Sequence, residues 1–283
     1  MRITAYMVSL CAATAVACAS GGASPTPLHP LVLQGAMDAE VKKLVSALNN
    51  ASETQVGGWT FWSGTLDGYP VVVSKTMKGM SNAAAATAIA VERYQPVAII
   101  NQGTAGGHQP DLHVLDIVLG VESVNLGAIK TAFRTTGAGV NTEDWKPLDL
   151  LRTEGSAGMD PLALTMRRFR GDGRLLDVAR SVGSSYSKGR VLDGVIGSAD
   201  VWNSELDRIA RFHREFGTSV EEMETASAAQ VAASFQIPFL GIRVLSNNIT
   251  DGETYDRNAG EACQAFVLDV ARAHFRHATS SVP

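Results

Sequence analysis

Five short segments hold the residues able to do chemistry: Gly35-Ala36-Met37-Asp38-Ala39-Glu40, Asn101-Gln102-Gly103-Thr104-Ala105-Gly106-Gly107, Ser198-Ala199-Asp200-Val201-Trp202, Glu221-Glu222-Met223-Glu224 and Ser246-Asn247-Asn248. Between them they offer carboxylates, amides, small hydroxyls and one indole. Such a set can take up protons and hold a polar ligand. Other chemistries lack their parts. The glycine run is followed by no Gly-Lys-Ser/Thr and is not G-x-G-x-x-G, so neither a triphosphate loop nor a dinucleotide fingerprint is present. The six histidines have no ligand spacing, and no Ser-His-Asp or Cys-His set can be picked out. No metal and no organic cofactor is required. Taken singly, each segment also has a plain structural reading: Asp38 suits a helix dipole, GTAGG a tight turn, and Trp202 a core.

The elements that must position these residues follow from periodicity. Leu31-Val32-Leu33 reads as a buried strand stopping at Gly35, and a helix begins near Asp38 with Val41, Leu44, Val45 and Leu48 on one face. Runs 59–66 and 69–74 flank Asp67-Gly68, a two-residue hairpin signal. An Ala-rich helix follows, capped at Ser81-Asn82 and ending before Pro96. Residues 97–100 form a strand that runs into the glycine turn, and 116–121, 191–197 and 238–245 are further strands. Helices are expected at 222–235 and 259–275. This alternation predicts an α/β protein, a three-layer α/β/α sandwich with a mixed central sheet. Ligands of such sheets bind beyond the carboxyl ends of strands. Residues 125–190 show little periodicity and are expected as an excursion near the ligand edge of one domain spanning 31–283.

Composition narrows the function. Charged residues make up only 18% of the 283 and hydrophobic ones 45%, which excludes disorder and coiled coil. A net charge of -4 with no Lys/Arg block speaks against nucleic-acid binding. Met1-Arg2, an apolar run over 3–17 and Ala17-Cys18-Ala19 form a secretory leader pattern, placed at 1–19 with a linker over 20–30. Export to the periplasm or beyond is expected, with lipidation at Cys18 as the minor variant and no membrane span. With Cys11 in the leader, Cys263 is left without a disulfide framework.

The order and spacing of GAMDAEV, INQGTAGG, S-x-D-x-W, EEMETASAAQVAASFQIPF and RVLSN resembles the nucleoside phosphorylase/nucleosidase superfamily, nearest the 5'-methylthioadenosine/S-adenosylhomocysteine nucleosidases. The resemblance implies a phosphorylase-type sandwich, a homodimer, and an enzyme acting on a small purine nucleoside with water. It also assigns roles. Glu40 matches the general base that activates water, with Thr104 beside it in place of the usual Ser and Ala105 and Gly106 on the same substrate-binding turn. Arg243 matches a water-orienting arginine. Glu224 matches the acceptor for both ribose hydroxyls, Met223 the apolar floor under the sugar, and Glu222 a neighbouring pocket acid. Trp202 stands where a Phe stacks on the purine. Asn247 takes the place of the Asp that protonates purine N7.

That last departure bears on the base. A carboxamide cannot deliver a proton, but it can pair with adenine or with a 6-oxopurine. Asp251 is the nearest other acid, within a Thr250-Asp251-Gly252 turn. Phosphate-using relatives carry an Arg before the glycine turn, where this chain has Asn101; Lys78 is the residue that could still reach a phosphate. The resemblance therefore implies an adenine-type nucleosidase first. Inosine or guanosine hydrolysis, phosphorolysis, or a non-catalytic purine-binding relative stand as alternatives.

Overall fold

The computed structural model describes residues 28–152 and 160–280; the expected leader at 1–19, with Cys11 and Cys18, lies outside the described residues. In chain order the elements are β1 (Leu31–Gly35), α1 (Asp38–Ser46), β2 (Asn49–Val56), β3 (Trp59–Leu66), β4 (Tyr69–Lys75), α2 (Met80–Tyr94), β5 (Ala98–Gly107), β6 (Ile117–Asn125), β7 (Ile129–Lys130), β8 (Lys146–Pro147), β9 (Arg168–Arg170), α3 (Gly173–Gly183), β10 (Val191–Ser198), α4 (Leu206–Phe216), β11 (Thr218–Glu222), α5 (Thr225–Ser234), β12 (Phe239–Asn247) and α6 (Ala259–Ser280).

The main sheet runs β11-β10-β6-β12-β5-β1-β4-β3-β2, with β9 on β6. It is mixed: β1, β4, β5 and β12 are mutually parallel where they pair, while β6 runs antiparallel to β12. Leu33, Leu44, Val73, Ile100, Val244, Phe266 and Val270 join one face of the sheet to α1, α3 and α6. Val32, Ile99, Ala228 and Ala232 bury the other face beneath α2 and α5. The three-layer sandwich holds. No helix among the described residues is long and apolar enough to cross a membrane.

Several local expectations hold for the physical reason that generated them. Asp67 and Gly68 both take positive φ, 52° and 86°, which is the twist-matched turn of a two-residue hairpin joining β3 to β4. The α2 helix stops at Gln95, in a left-handed conformation just before Pro96. Its start is different from the expectation. Neither Ser81 nor Asn82 caps it; the Met80 amide donates to Asp200 Oδ1 at 2.8 Å, an acid 120 residues away.

Three other readings are corrected. The glycine run is strand rather than turn, since β5 continues through Gly107. Glu221 and Glu222 end β11 instead of opening a helix, and α5 begins only at Thr225. Within 125–190, β9 pairs with β6 and α3 packs on α6, so only the part before β9 departs from the sandwich.

One long-range feature shapes the ligand edge. The last residues of β5 also pair with β11, Gly107 with Val220 and Gly106 with Glu221. The sheet thus curls until β11 reaches β5 across the three strands, β10, β6 and β12, that lie between them in the strand order. Carboxylates at the end of β11 are thereby carried over the carboxyl ends of β1, β5 and β12.

Candidate active site

A cavity of about 180 Å³ opens at this curled edge. Its lining takes Glu40 from α1, Thr104, Ala105 and Gly106 from β5, Trp202 from the loop after β10, Glu222, Met223 and Glu224 from the β11–α5 corner, and Asn247 from the end of β12. Nine of the ten residues singled out in the sequence therefore face one space. Arg243 does not.

Glu40 sits at the third position of α1 and is 4% exposed. Its Oε2 accepts from the Ala36 and Met37 amides at 3.0 and 3.3 Å, as a helix N-terminus favours. Its Oε1 accepts from the Thr104 amide at 2.9 Å and from Thr104 Oγ1 at 3.1 Å. The carboxylate is locked between the helix start and β5. Gly103 makes the approach possible: a Cβ there would lie 2.8 Å from Glu40 Oε1. The glycine run read as a turn is instead a strand kept bare so that a carboxylate can lie against it.

Glu222 is the most heavily bonded acid. It accepts from Ser198 Oγ, the Glu224 and Thr225 amides, and Arg243 Nε and Nη2. Arg243, 1% exposed, spends its remaining donors on the Asn101 and Ile242 carbonyls and on Asn101 Oδ1. It is expected from the sequence as a water-orienting residue at the cavity. The structure corrects that placement: Arg243 lies behind the wall and acts on the site through Glu222. Burial opposes its charge, but Glu222, Glu224 and Glu40 around it hold the guanidinium charged. Asn101 is buried too and bonds to Gln34, so neither residue presents a donor to the cavity.

Glu224 faces the cavity with fewer partners. Its Oε1 accepts from the Gly79 amide at 2.9 Å. Burial and then the Glu222 charge push its carboxyl up to about 8, against the pull of Arg243 and of the Gly79 amide. Asn247 is aimed by an irregularity in β12. The register skips between Leu245 and Asn247, so that Asn247 pairs with Gly106 at the cavity wall. Its Oδ1 accepts from Ser246 Oγ at 3.1 Å, and the residue lines the cavity beside Gly106. Trp202 stands at the mouth, 75% exposed, with its ring 6.4 Å from that of Tyr255.

Met37, Glu221 and Ser246 of the five segments also line it, together with residues that the sequence reading passed over: His108, Asn203, Ile249 and Tyr255. His108 Nε2 lies 2.9 Å from Glu221 Oε2, which also accepts from Asn203, and both His108 and Glu221 are buried. Spacing gave no hint of this pair, which spans 113 residues. By contrast Asp251 is outside the cavity, paired with His113 at the surface 3.0 Å away, with Glu253 beside them. None of the described residues of 125–190 lines the cavity, which corrects their expected place at the ligand edge. Cys263 is no nucleophile: burial above all pushes its thiol up to about 12.

This fold and this acid-lined cavity define a class, and comparison with known proteins agrees. The model of the phosphorylase superfamily matches residues 30–278. The 5'-methylthioadenosine/S-adenosylhomocysteine nucleosidase of Anoxybacillus flavithermus is 34% identical over 218 residues, covering 77% of this chain and 84% of the relative. Two solved structures of proteins with that same name also superpose. The one from Neisseria meningitidis, in complex with methylthio-immucillin-A, gives a TM-score of 0.70 at 25% identity over 87% of this chain and 100% of that one. The one from Colwellia psychrerythraea, in complex with adenine, gives 0.69 at 27% identity over 87% and 96%. The chain belongs to the phosphorylase superfamily and, within it, to the family of 5'-methylthioadenosine/S-adenosylhomocysteine nucleosidases.

Proposed function

We propose that the protein hydrolyses the N-glycosidic bond of an adenine nucleoside of the 5'-methylthioadenosine/S-adenosylhomocysteine type. The observation that carries this reading is one cavity holding a clamped carboxylate, Glu40 with Thr104, and a second, sparsely bonded one, Glu224. Breaking the bond develops positive charge on the sugar and negative charge on the departing base. Glu40 takes a proton from the attacking water as its oxygen bonds to C1', and Thr104 Oγ1 holds that water. The bonding electron pair leaves with the base. Glu224 accepts from the ribose hydroxyls over the apolar Met223, and its charge favours the cationic sugar. Asn247 donates its amide hydrogen to N7, and Trp202 forms the outer wall of the base pocket.

Water as the acceptor is supported by the burial of Arg243 and Asn101 behind the wall, which leaves no guanidinium among the described lining residues to grip a phosphate. A panel of adenine and 6-oxopurine nucleosides, with and without phosphate, tests the whole reading. Expected is release of free adenine at a rate independent of phosphate. Sugar 1-phosphate that forms in proportion to added phosphate would instead make the protein a phosphorylase, and no free base from any nucleoside would make it a binding protein. The half-satisfied amide of Asn247 also suits a 6-oxopurine, so base choice is read in the same panel. Asn247→Asp should raise adenine release roughly 10²-fold and depress any hypoxanthine release, because it restores a titratable group beside N7. An unchanged ratio of the two activities would mean that another residue reads the base.

Glu224 gives the reading a pH signature. Ribose binding needs an acceptor-only carboxylate, whereas the empty site holds the proton up to about pH 8. Nucleoside binding at pH 7 should therefore release about one proton per site, seen by calorimetry in buffers of different ionisation enthalpy, and none at pH 9. For folding the sign is the reverse. The raised carboxyl stabilises the empty protein fully below its ordinary value of 4.5, and that contribution is lost as pH rises through about 8. Absence of proton release at pH 7 would take Glu224 out of ribose recognition.

We further infer a homodimer working outside the cytoplasm. The exposed Phe133, Val140 and Leu162 in the segment before β9 support a partner surface, and the leader pattern at 1–19 supports export. Light scattering of the purified protein and fractionation of expressing cells check the two points. A monomer, or full-length protein in the cytosol, would overturn them.

A further inference from the structure

The cavity is rich in carboxyl groups, with Glu40, Glu221, Glu222 and Glu224 in its lining. Lys78 is the one lysine or arginine among the described lining residues. Other basic side chains around the site are engaged: Lys75 pairs with Asp38 at 2.9 Å, Arg243 with Glu222, and the His108 ring hydrogen-bonds with Glu221. The Lys78 ammonium has no carboxylate within ion-pair distance among the described residues, although its main chain is fixed. The Lys78 carbonyl accepts from Asn82 Nδ2 at 2.8 Å, and the next amide, that of Gly79, is the one bonded to Glu224.

Topology then places Lys78 relative to the base. It follows the end of β4, whereas Asn247 ends β12, and β1 and β5 lie between those two strands. At about 4.8 Å per strand step the two positions are separated by about 14 Å along the sheet edge. Glu224, tied to Gly79, sits on the Lys78 side. For a nucleoside whose base meets Asn247 and whose ribose meets Glu224, Lys78 lies on the far side of the ribose from the base, so the 5' substituent is the part of the ligand left to reach it.

We propose that Lys78 forms an anion subsite for the 5' substituent, and that the preferred substrate carries a carboxylate on its 5' tail. The inference rests on the nucleosidase reading above. Of the two substrates in the relatives' name, the homocysteinyl tail of S-adenosylhomocysteine bears a carboxylate and the methylthio tail bears none. That tail is zwitterionic, and a single ammonium matches its one carboxylate. A phosphate dianion would call for a forked donor as well, and no arginine is among the described residues that line this cavity.

The test compares three 5'-thioadenosines of equal tail length, ending in a carboxylate, its methyl ester or an ammonium, together with methylthioadenosine. At low salt the wild-type protein is expected to favour acid over ester by about fivefold in kcat/KM, the size of a well-placed exposed ion pair. That ratio should shrink as salt is added. Lys78→Met should bring it close to one, Lys78→Arg should keep it, and Lys78→Glu should shift preference to the ammonium tail. An acid-to-ester ratio that is unchanged in Lys78→Met overturns the subsite. So does a phosphate-dependent rate lost in that variant, which would assign the lysine to a phosphate acceptor. Methylthioadenosine hydrolysis by the wild type reports separately on the nucleosidase reading. If it fails, the acid-to-ester ratio of dissociation constants from calorimetry still decides the subsite.

Discussion

Replacing Glu40 by Gln is expected to lower turnover by roughly 10²–10⁴-fold while the protein still binds nucleoside. The amide of Gln cannot accept the proton of the attacking water. It also sets an NH₂ group against donors, because the carboxylate it replaces accepts from the Ala36, Met37 and Thr104 amides and from Thr104 Oγ1. About 1–3 kcal/mol of stability should be lost with that mismatch. Kinetics and calorimetry on the folded variant, with urea unfolding alongside, separate the two effects. If kcat holds within a fewfold and only stability falls, Glu40 is a structural clamp between α1 and β5 and the base lies elsewhere.

Arg243→Met should give the largest loss of stability, about 3–5 kcal/mol, because it strands the buried Glu222 carboxylate without its counter-charge. Urea unfolding followed by circular dichroism reads the loss. Adding Glu222→Leu to the Met variant should recover much of that stability, since an apolar pair of similar volume removes the unpaired charge. Activity should stay low in the double variant. The oxygens of Glu222 hold the amides of Glu224 and Thr225, and so set the corner from which Glu224 reaches the cavity. Arg243 also pulls the Glu224 carboxyl down, so its loss moves that group further up and leaves less carboxylate for ligand at neutral pH. A single variant as stable as the wild type would mean that Glu222 takes up a proton or finds another partner.

Both outcomes rest on contacts that differ in how far they could be read from the chain alone. Glu40 was singled out through the resemblance of its GAMDAEV segment; its contacts with the Ala36 and Met37 amides are local, since an acid three residues into a helix that starts just after β1 meets them by helix geometry. The same holds for the Asp67-Gly68 turn and for the alternation that predicts the sandwich, since periodicity and turn conformation act over a few residues. The types of the cavity residues were legible too, as segments at the ends of strands.

What the sequence by itself determined, then, is the set of elements, the acids and amides at the strand ends, and the family resemblance they compose. The tertiary structure alone decided which way those groups face. Arg243 and Asn247 share one strand. Only the skip in register before Asn247 and the curl that brings β11 to β5 send one to the cavity and the other behind its wall. The pairs of Asp200 with Met80 and of His108 with Glu221 join residues more than 100 positions apart, and no local period encodes them. Gly103 is bare for the sake of Glu40, a neighbour in space and not in sequence. Local sequence sets backbone conformation through short-range sterics and hydrogen bonding. The facing of a buried polar group is set by the donors that satisfy it, and in this protein those donors arrive from distant strands.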